Sequence, residues 1–244
     1  MIAIILFMAV LAVFSGWWLS RQRLMAKPWL EVDSVGGVTA WVGSPVPAAK
    51  VGLGMFLAVA GCLFALLFSA YIMRIEIDTT PGAVATGTVL RTMPVPRLLW
   101  VNTAMLVVSS GALQCAHVAV GRGERDAVRD ALLIGTTSAI AFLAGQLLVW
   151  RQFVDAGYFA AGNPANAFFY VLTGIHGLHV AGGLVAVGVT TANVWRGATS
   201  ERLRLSVWLC TVYWHFLLVI WLTTFALLTG WADNFIVMCR ALAA

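Results

Sequence analysis

Six stretches of the chain, residues 2–19, 51–73, 98–120, 131–150, 167–190 and 205–231, run on without a charged side chain. Stretches of about 18 apolar residues or more are long enough to cross a hydrocarbon core of roughly 30 Å as helices. None alternates apolar with polar positions as a barrel strand does, and a span in lipid must satisfy its own backbone groups. The predicted class is therefore all-α: a polytopic membrane helical bundle of about six transmembrane helices, one N-terminal helix followed by a five-helix core. The segments between the spans are short, and only 28–50 and 74–97 are rich in turn residues. The simplest partition is an N-terminal helix with its loop, 1–49, and a core, 50–244. All seven prolines (Pro28, Pro45, Pro47, Pro81, Pro94, Pro96 and Pro164) fall in predicted loops, so continuous helices are expected rather than the broken spans of many transporter sites.

Composition agrees with lipid as the solvent: 61% of the residues are hydrophobic and 10% charged, where soluble domains carry about 25% charge. The first span has no basic residue before it and is followed by Arg21, Arg23 and Lys27, the charge order of a retained anchor rather than a cleaved signal. The net charge of +5 is spread singly through loops and forms no stripe that would point to nucleic acid. Ten basic residues (Arg21, Arg23, Lys27, Lys50, Arg122, Arg125, Arg129, Arg196, Arg202 and Arg204) follow the first, third and fifth spans. Five (Arg74, Arg91, Arg97, Arg151 and Arg240) lie on the opposite side, which predicts both termini outside the cytoplasm. Tryptophans 17, 18, 100, 150, 208 and 231 stand at span ends, as interfacial anchors do, whereas Trp214 and Trp221 share one face inside the last span.

Candidate chemistry is sparse. The spans contain no Asp, Glu, Lys or Arg, and intramembrane charge is what ion and proton carriers usually need. Cys62, Cys115, Cys210 and Cys239 are isolated, so neither a disulfide framework nor a zinc site is indicated, and each reads as a small buried hydrophobe. Four histidines remain: His117, His176, His179 and His215. They are too few to ligate two haems and a copper, and His176 and His179 stand one turn apart on one helix, not on facing helices. A metal pair completed by His215 or His117 is one reading. Polar side chains bonding between helices are commoner in membranes, and that reading is preferred, with no metal and no catalytic residue expected.

The fifth span, FFYVLTGIHGLHVAGGLVAVGV, carries two stripes. At about 100° per residue, Gly174, Gly177 and Ala181 share one side, while His176, His179 and Gly183 share nearly the opposite one. Gly182 adds to the small-residue surface. Small stripes permit close backbone approach, so packing on both sides and a place at the bundle centre are expected for this helix.

At these residues the sequence resembles the cytochrome c oxidase subunit III family, which also includes the equivalent subunit of quinol oxidases and a relative linked to nitric-oxide reductases. The segment AFFYVLTGIHGLHVAGG is similar to the family's most recognisable stretch through Phe168, Phe169, Thr173, Gly174, His176, Gly177, His179, Val180 and Gly182. VYWHFLLVIW is similar to its YWHF segment through Tyr213, Trp214, His215, Phe216 and Trp221. Weaker matches are Gly52, Phe56, Leu57, Ala58, Tyr71, Asn102, Thr103, Ser109, Ser110, Ala116 and Gln146, so that the similarity covers residues 50–230 in order. The chain departs from the pattern at two positions: Ala60 stands where the family usually has a second-helix carboxylate, and Leu218 where an acidic residue often follows YWHF. One helix rather than two precedes the common five.

The resemblance implies an accessory subunit of a haem-copper terminal oxidase in the bacterial cytoplasmic (inner) membrane, where the basic asymmetry makes the expected termini periplasmic. It implies no cofactor in this chain, haem and copper in partner subunits, bound phospholipid, direct contact with subunit I, association with subunit II, and support of proton uptake. His176, His179, Tyr213, Trp214 and His215 are the candidates for lipid binding or an interhelical polar network. Rival readings are a stand-alone membrane cytochrome b and a small-solute transporter.

Overall fold

The computed structural model describes residues 48–78, 97–161, 164–197 and 200–229, so the expected span at 2–19 lies outside the described residues. Five helices follow one another: α1 (Ala48–Asp78), α2 (Arg97–Arg122), α3 (Arg125–Asp155), α4 (Pro164–Trp195) and α5 (Ser200–Leu228). No strand occurs among the described residues. All five are long and apolar enough to cross a membrane. Each begins before the uncharged stretch that predicted it, and α1 to α4 also run past its end, because charged side chains at a span's end extend to the interface while the helix continues. Pro164 opens α4 instead of lying in a loop, a correction with a simple cause: at the first helical position the missing N–H has no intrahelical partner to lose.

The chain divides into two compact units, 1–65 and 66–244, the division falling within α1. In the first, the described residues form the opening part of α1. In the second, each of α2, α3, α4 and α5 lies against two others, most extensively α2 against α3, then α2 against α5, α5 against α4, and α4 against α3. The turns are tight. Gly123, at φ 76°, closes α2: its N–H donates to the Val120 carbonyl (3.2 Å) and the Glu124 N–H to the Ala119 carbonyl (3.1 Å). This left-handed cap satisfies the last carbonyls and sends the chain straight into α3, so the two helices are antiparallel neighbours. Gly157 ends α3 in the same way.

Phe142, Leu106, Leu113, Leu132, Leu172, Leu217, Trp214, Trp221 and His176 are fully enclosed. Leu147, Ile140, Leu178, Val185 and Val219 face outward, where hydrocarbon receives them as readily as a core would. Two expectations are corrected here. First, α4 does not occupy the bundle centre: it touches α3 on one side and α5 on another, and presents Leu178 and Val185 outward, 71% and 69% exposed. Second, of the three cysteines among the described residues Cys210 is buried, while Cys62 and Cys115 are exposed, which costs little for a small apolar side chain facing lipid.

Candidate functional site

Because α5 adjoins both α2 and α4, its side chains organise the polar interior. Toward α2, Trp221 donates its indole N–H to the Thr103 hydroxyl (3.0 Å), and Trp214 donates to the Ser109 hydroxyl (2.7 Å). Both hydroxyls pass their own proton onward, Thr103 to the Leu99 carbonyl (2.9 Å) and Ser109 across to the Gly135 carbonyl of α3 (2.8 Å). The same relay joins α3 to α4: the Trp150 indole donates to Thr173, which donates to the Phe169 carbonyl, at 3.1 and 2.7 Å. Trp150 was expected as an interfacial anchor. It lies inside α3 with its N–H spent between helices, since a half-buried indole needs an acceptor and α4 supplies one. Thr211 adds a bond from α5 to the Leu113 carbonyl (3.1 Å).

Toward α4, His176 is fully buried, and its Nε2 donates to the Leu217 carbonyl (3.1 Å). Its ring sits 5.0 Å from Trp221 and 5.6 Å from Phe142, which meet each other edge-on at 4.8 Å. Tyr213 donates its hydroxyl to the His179 backbone carbonyl (2.9 Å), while His179 Nδ1 donates to Ile175 within its own helix (2.8 Å). Gly183 makes this approach possible. A Cβ there would stand 2.6 Å from the Trp214 ring and 2.7 Å from the Tyr213 ring.

The candidate residues therefore fall into separate groups. Gly183 meets Tyr213 and Trp214, and Gly174 and Gly177 face Trp150 and Leu143 of α3, but Ala181 and Gly182 are exposed, with open space about Gly182. His176, His179 and Tyr213 lie on the α4–α5 seam. His215 does not: its Nδ1 meets the Ser110 hydroxyl (2.6 Å) and its Nε2 the Gln114 side-chain oxygen (3.1 Å), both on α2. His117 shares α2 but joins neither group, and its Nδ1 has no hydrogen-bond partner among the described residues. Nor do those residues contain a cluster of three or more His, Cys, Asp or Glu able to hold a metal.

Sequence reasoning missed the α2–α3 seam, the largest in the bundle. Asn102 bonds Gln146 there (3.4 Å), and Gly145 sits so close to the Asn102 amide that a Cβ would overlap it. The available signal was an Asn and a Gln inside apolar spans, since an amide at membrane depth needs a partner on another helix.

The fold and this interior define a polytopic helical membrane protein held together by side-chain hydrogen bonds between apolar helices. The chain matches the sequence model of the family described as cytochrome c oxidase subunit III over residues 4–233, and it belongs to that family. It is 32% identical over 184 residues to a cytochrome c oxidase subunit 3 of Thermostichus vulcanus, covering 73% of this chain and 85% of the relative. It is 30% identical over 183 residues to one of Synechocystis, covering 72% of each. It is 26% identical over 175 residues to a cytochrome bo(3) ubiquinol oxidase subunit 3 of Pseudomonas aeruginosa, covering 71% of this chain and 80% of the relative. The protein is thus a subunit III of a haem-copper oxidase, a multi-pass membrane component of a multi-subunit complex.

Proposed function

We propose that this chain docks directly on the catalytic subunit I, with subunit II in the same complex, retains phospholipid, and sustains proton uptake and turnover without a redox centre of its own. Haem and copper belong to the partner subunits. The complex sits in a bacterial inner membrane, with both termini periplasmic and residues 1–49 forming a separate anchor before the core, 50–244. The observation that best supports an accessory role is the interior itself: the fully enclosed His176 is built into the Trp221–Phe142 cluster and bonds a backbone carbonyl, which holds helices together. His176, His179, Tyr213, Trp214 and His215 serve structure and lipid retention, with Gly174, Gly177 and Gly183 setting helix approach. The test is purification of the tagged chain in mild detergent, followed by identification of the haem protein that accompanies it. A stoichiometric haem-copper subunit supports the reading, and a haem bound to the isolated chain overturns it. The similarity to a ubiquinol oxidase subunit 3 supports a second reading, in which quinol rather than cytochrome c is the electron donor. Assaying the purified complex with each donor separates the two.

A further inference from the structure

The geometry points to the outer edge of the α2–α5 seam, centred on Gln114 and His215, as the face that receives a transmembrane helix of another chain of the oxidase complex. The inference rests on the subunit reading and specifies which surface does the docking. Gln114 and His215 are both exposed, and both lie well inside spans that cross the membrane. Their polar groups therefore emerge where lipid offers no hydrogen-bond partner, and an unsatisfied group there is costly. Four exposed or half-buried threonines, by contrast, are satisfied within their own helices: Thr136, Thr137, Thr191 and Thr223 donate to carbonyls one turn back, at 2.7–2.9 Å. A glutamine cannot be satisfied so cheaply. Its amide offers two donors and an acceptor oxygen with two lone pairs, and among the described residues only the oxygen is used, by His215.

The direction of the chain of bonds sharpens the chemistry. With the Gln114 oxygen accepting, His215 Nε2 carries the ring proton and Nδ1 accepts from the buried Ser110 hydroxyl. Polarity then runs outward from Ser110 through His215 and ends on the Gln114 NH₂, a donor facing away from the bundle. The occupant must present an acceptor, a backbone carbonyl or a hydroxyl or amide oxygen, at that level. The surrounding surface suits a helix. Val107, Gly111, Gln114 and Val118 share one outward stripe of α2, and His215, Val219 and Leu222 one of α5, by the i, i+4, i+7 spacing. Nothing lies within 4 Å of where a Cβ on Gly111 would stand, so another backbone can come close beside the exposed amide. A small residue next to a polar one is how helices associate in lipid.

The experiment uses the assembled complex. A photo-crosslinking benzoylphenylalanine is placed singly at Val118 and Val219 on this face, and at Ile140 and Leu178 on other outward surfaces. Adducts are identified by mass spectrometry. Severalfold higher yield from Val118 and Val219 to one helix of the haem-bearing subunit is expected. Lipid adducts alone from these two positions, or yields no higher than from Ile140 and Leu178, overturn the assignment while leaving the subunit reading intact. Material without any haem protein overturns the subunit reading and the docking face with it. Independently, Gln114→Leu should lower retention of the subunit in detergent about threefold to thirtyfold, the range set by one interhelical hydrogen bond. Retention that is unchanged or improved means the residue faces lipid, and the assignment fails.

Discussion

The two seams of α5 solve the same problem by opposite means. Toward α2 the helices are joined by side chains that are present: two indoles, three hydroxyls and an imidazole. Toward α4 the decisive feature is a side chain that is missing, at Gly183, together with backbone carbonyls that accept from His176 and Tyr213. The first kind of seam is weakened by removing atoms and the second by adding them. Lipid makes both necessary. Apolar helices gain nothing by leaving one hydrocarbon environment for another, so association depends on close packing and on polar groups finding partners.

Trp214 belongs to both seams, since its N–H bonds Ser109 while its ring covers Gly183. Trp214→Ala should therefore produce the largest loss, about 3–5 kcal/mol, the usual cost of deleting a large enclosed aromatic. Thermal unfolding of the purified complex, followed through loss of this subunit, measures it. A loss below about 1 kcal/mol would mean that the seams are independent of this ring and collapse readily around its absence.

Next in size is a contrast between adjacent glycines. Gly183→Ala drives a methyl into two rings and should cost about 1–3 kcal/mol by overpacking. Gly182→Ala meets open space and should be neutral, or stabilising by up to about 1 kcal/mol through helix propensity. Equal effects in the two variants would remove the distinction between a packed and an outward glycine.

On the α2 side, Thr103→Val and Ser109→Ala each leave a buried indole N–H without its acceptor. Losses of about 0.6 kcal/mol, rarely above about 2, are expected. A double-mutant cycle of Thr103→Val with Trp221→Phe should return a coupling of that size, and a coupling near zero would assign the seam's strength to shape alone.

How far the sequence disclosed this arrangement depended on whether a feature was local. Span lengths followed from runs of uncharged residues, and HGLH and YWHF identified the family because they are contiguous. The register that puts Trp214 and Trp221 on one face was also readable, from a spacing of two turns. What could not be read was which helix each face meets. These helices are apolar nearly all round, so no apolar stripe points to a core and a 3.6-residue period carries little direction. His215 was grouped with His176 and His179 because all three are histidines in neighbouring spans, yet about 100° of rotation separates His215 from Trp214 and turns it onto Ser110 and Gln114. Ser109, Thr103 and Asn102 were visible only as weak similarities, since a lone hydroxyl or amide in a span does not name its partner.

Among the polar side chains the smallest effect is expected at His179, and it tests whether the α4 seam really runs on backbone acceptors. Tyr213 donates to the His179 carbonyl, which any residue at that position supplies, and the ring's Nδ1 bond goes to Ile175 of the same helix. His179→Leu keeps the first bond and loses a local one, so it should shift stability by about 0.6 kcal/mol. The complex should keep its haem spectrum and initial turnover, with any deficit confined to retention of the subunit or its lipid during prolonged activity in detergent. Tyr213→Phe, which deletes the donor itself, should be the more damaging of the pair. If His179→Leu instead exceeded Tyr213→Phe, the imidazole rather than the backbone would be holding the seam. If it abolished initial electron transfer in an intact complex, the ring would have a direct part in the chemistry, contrary to the accessory role.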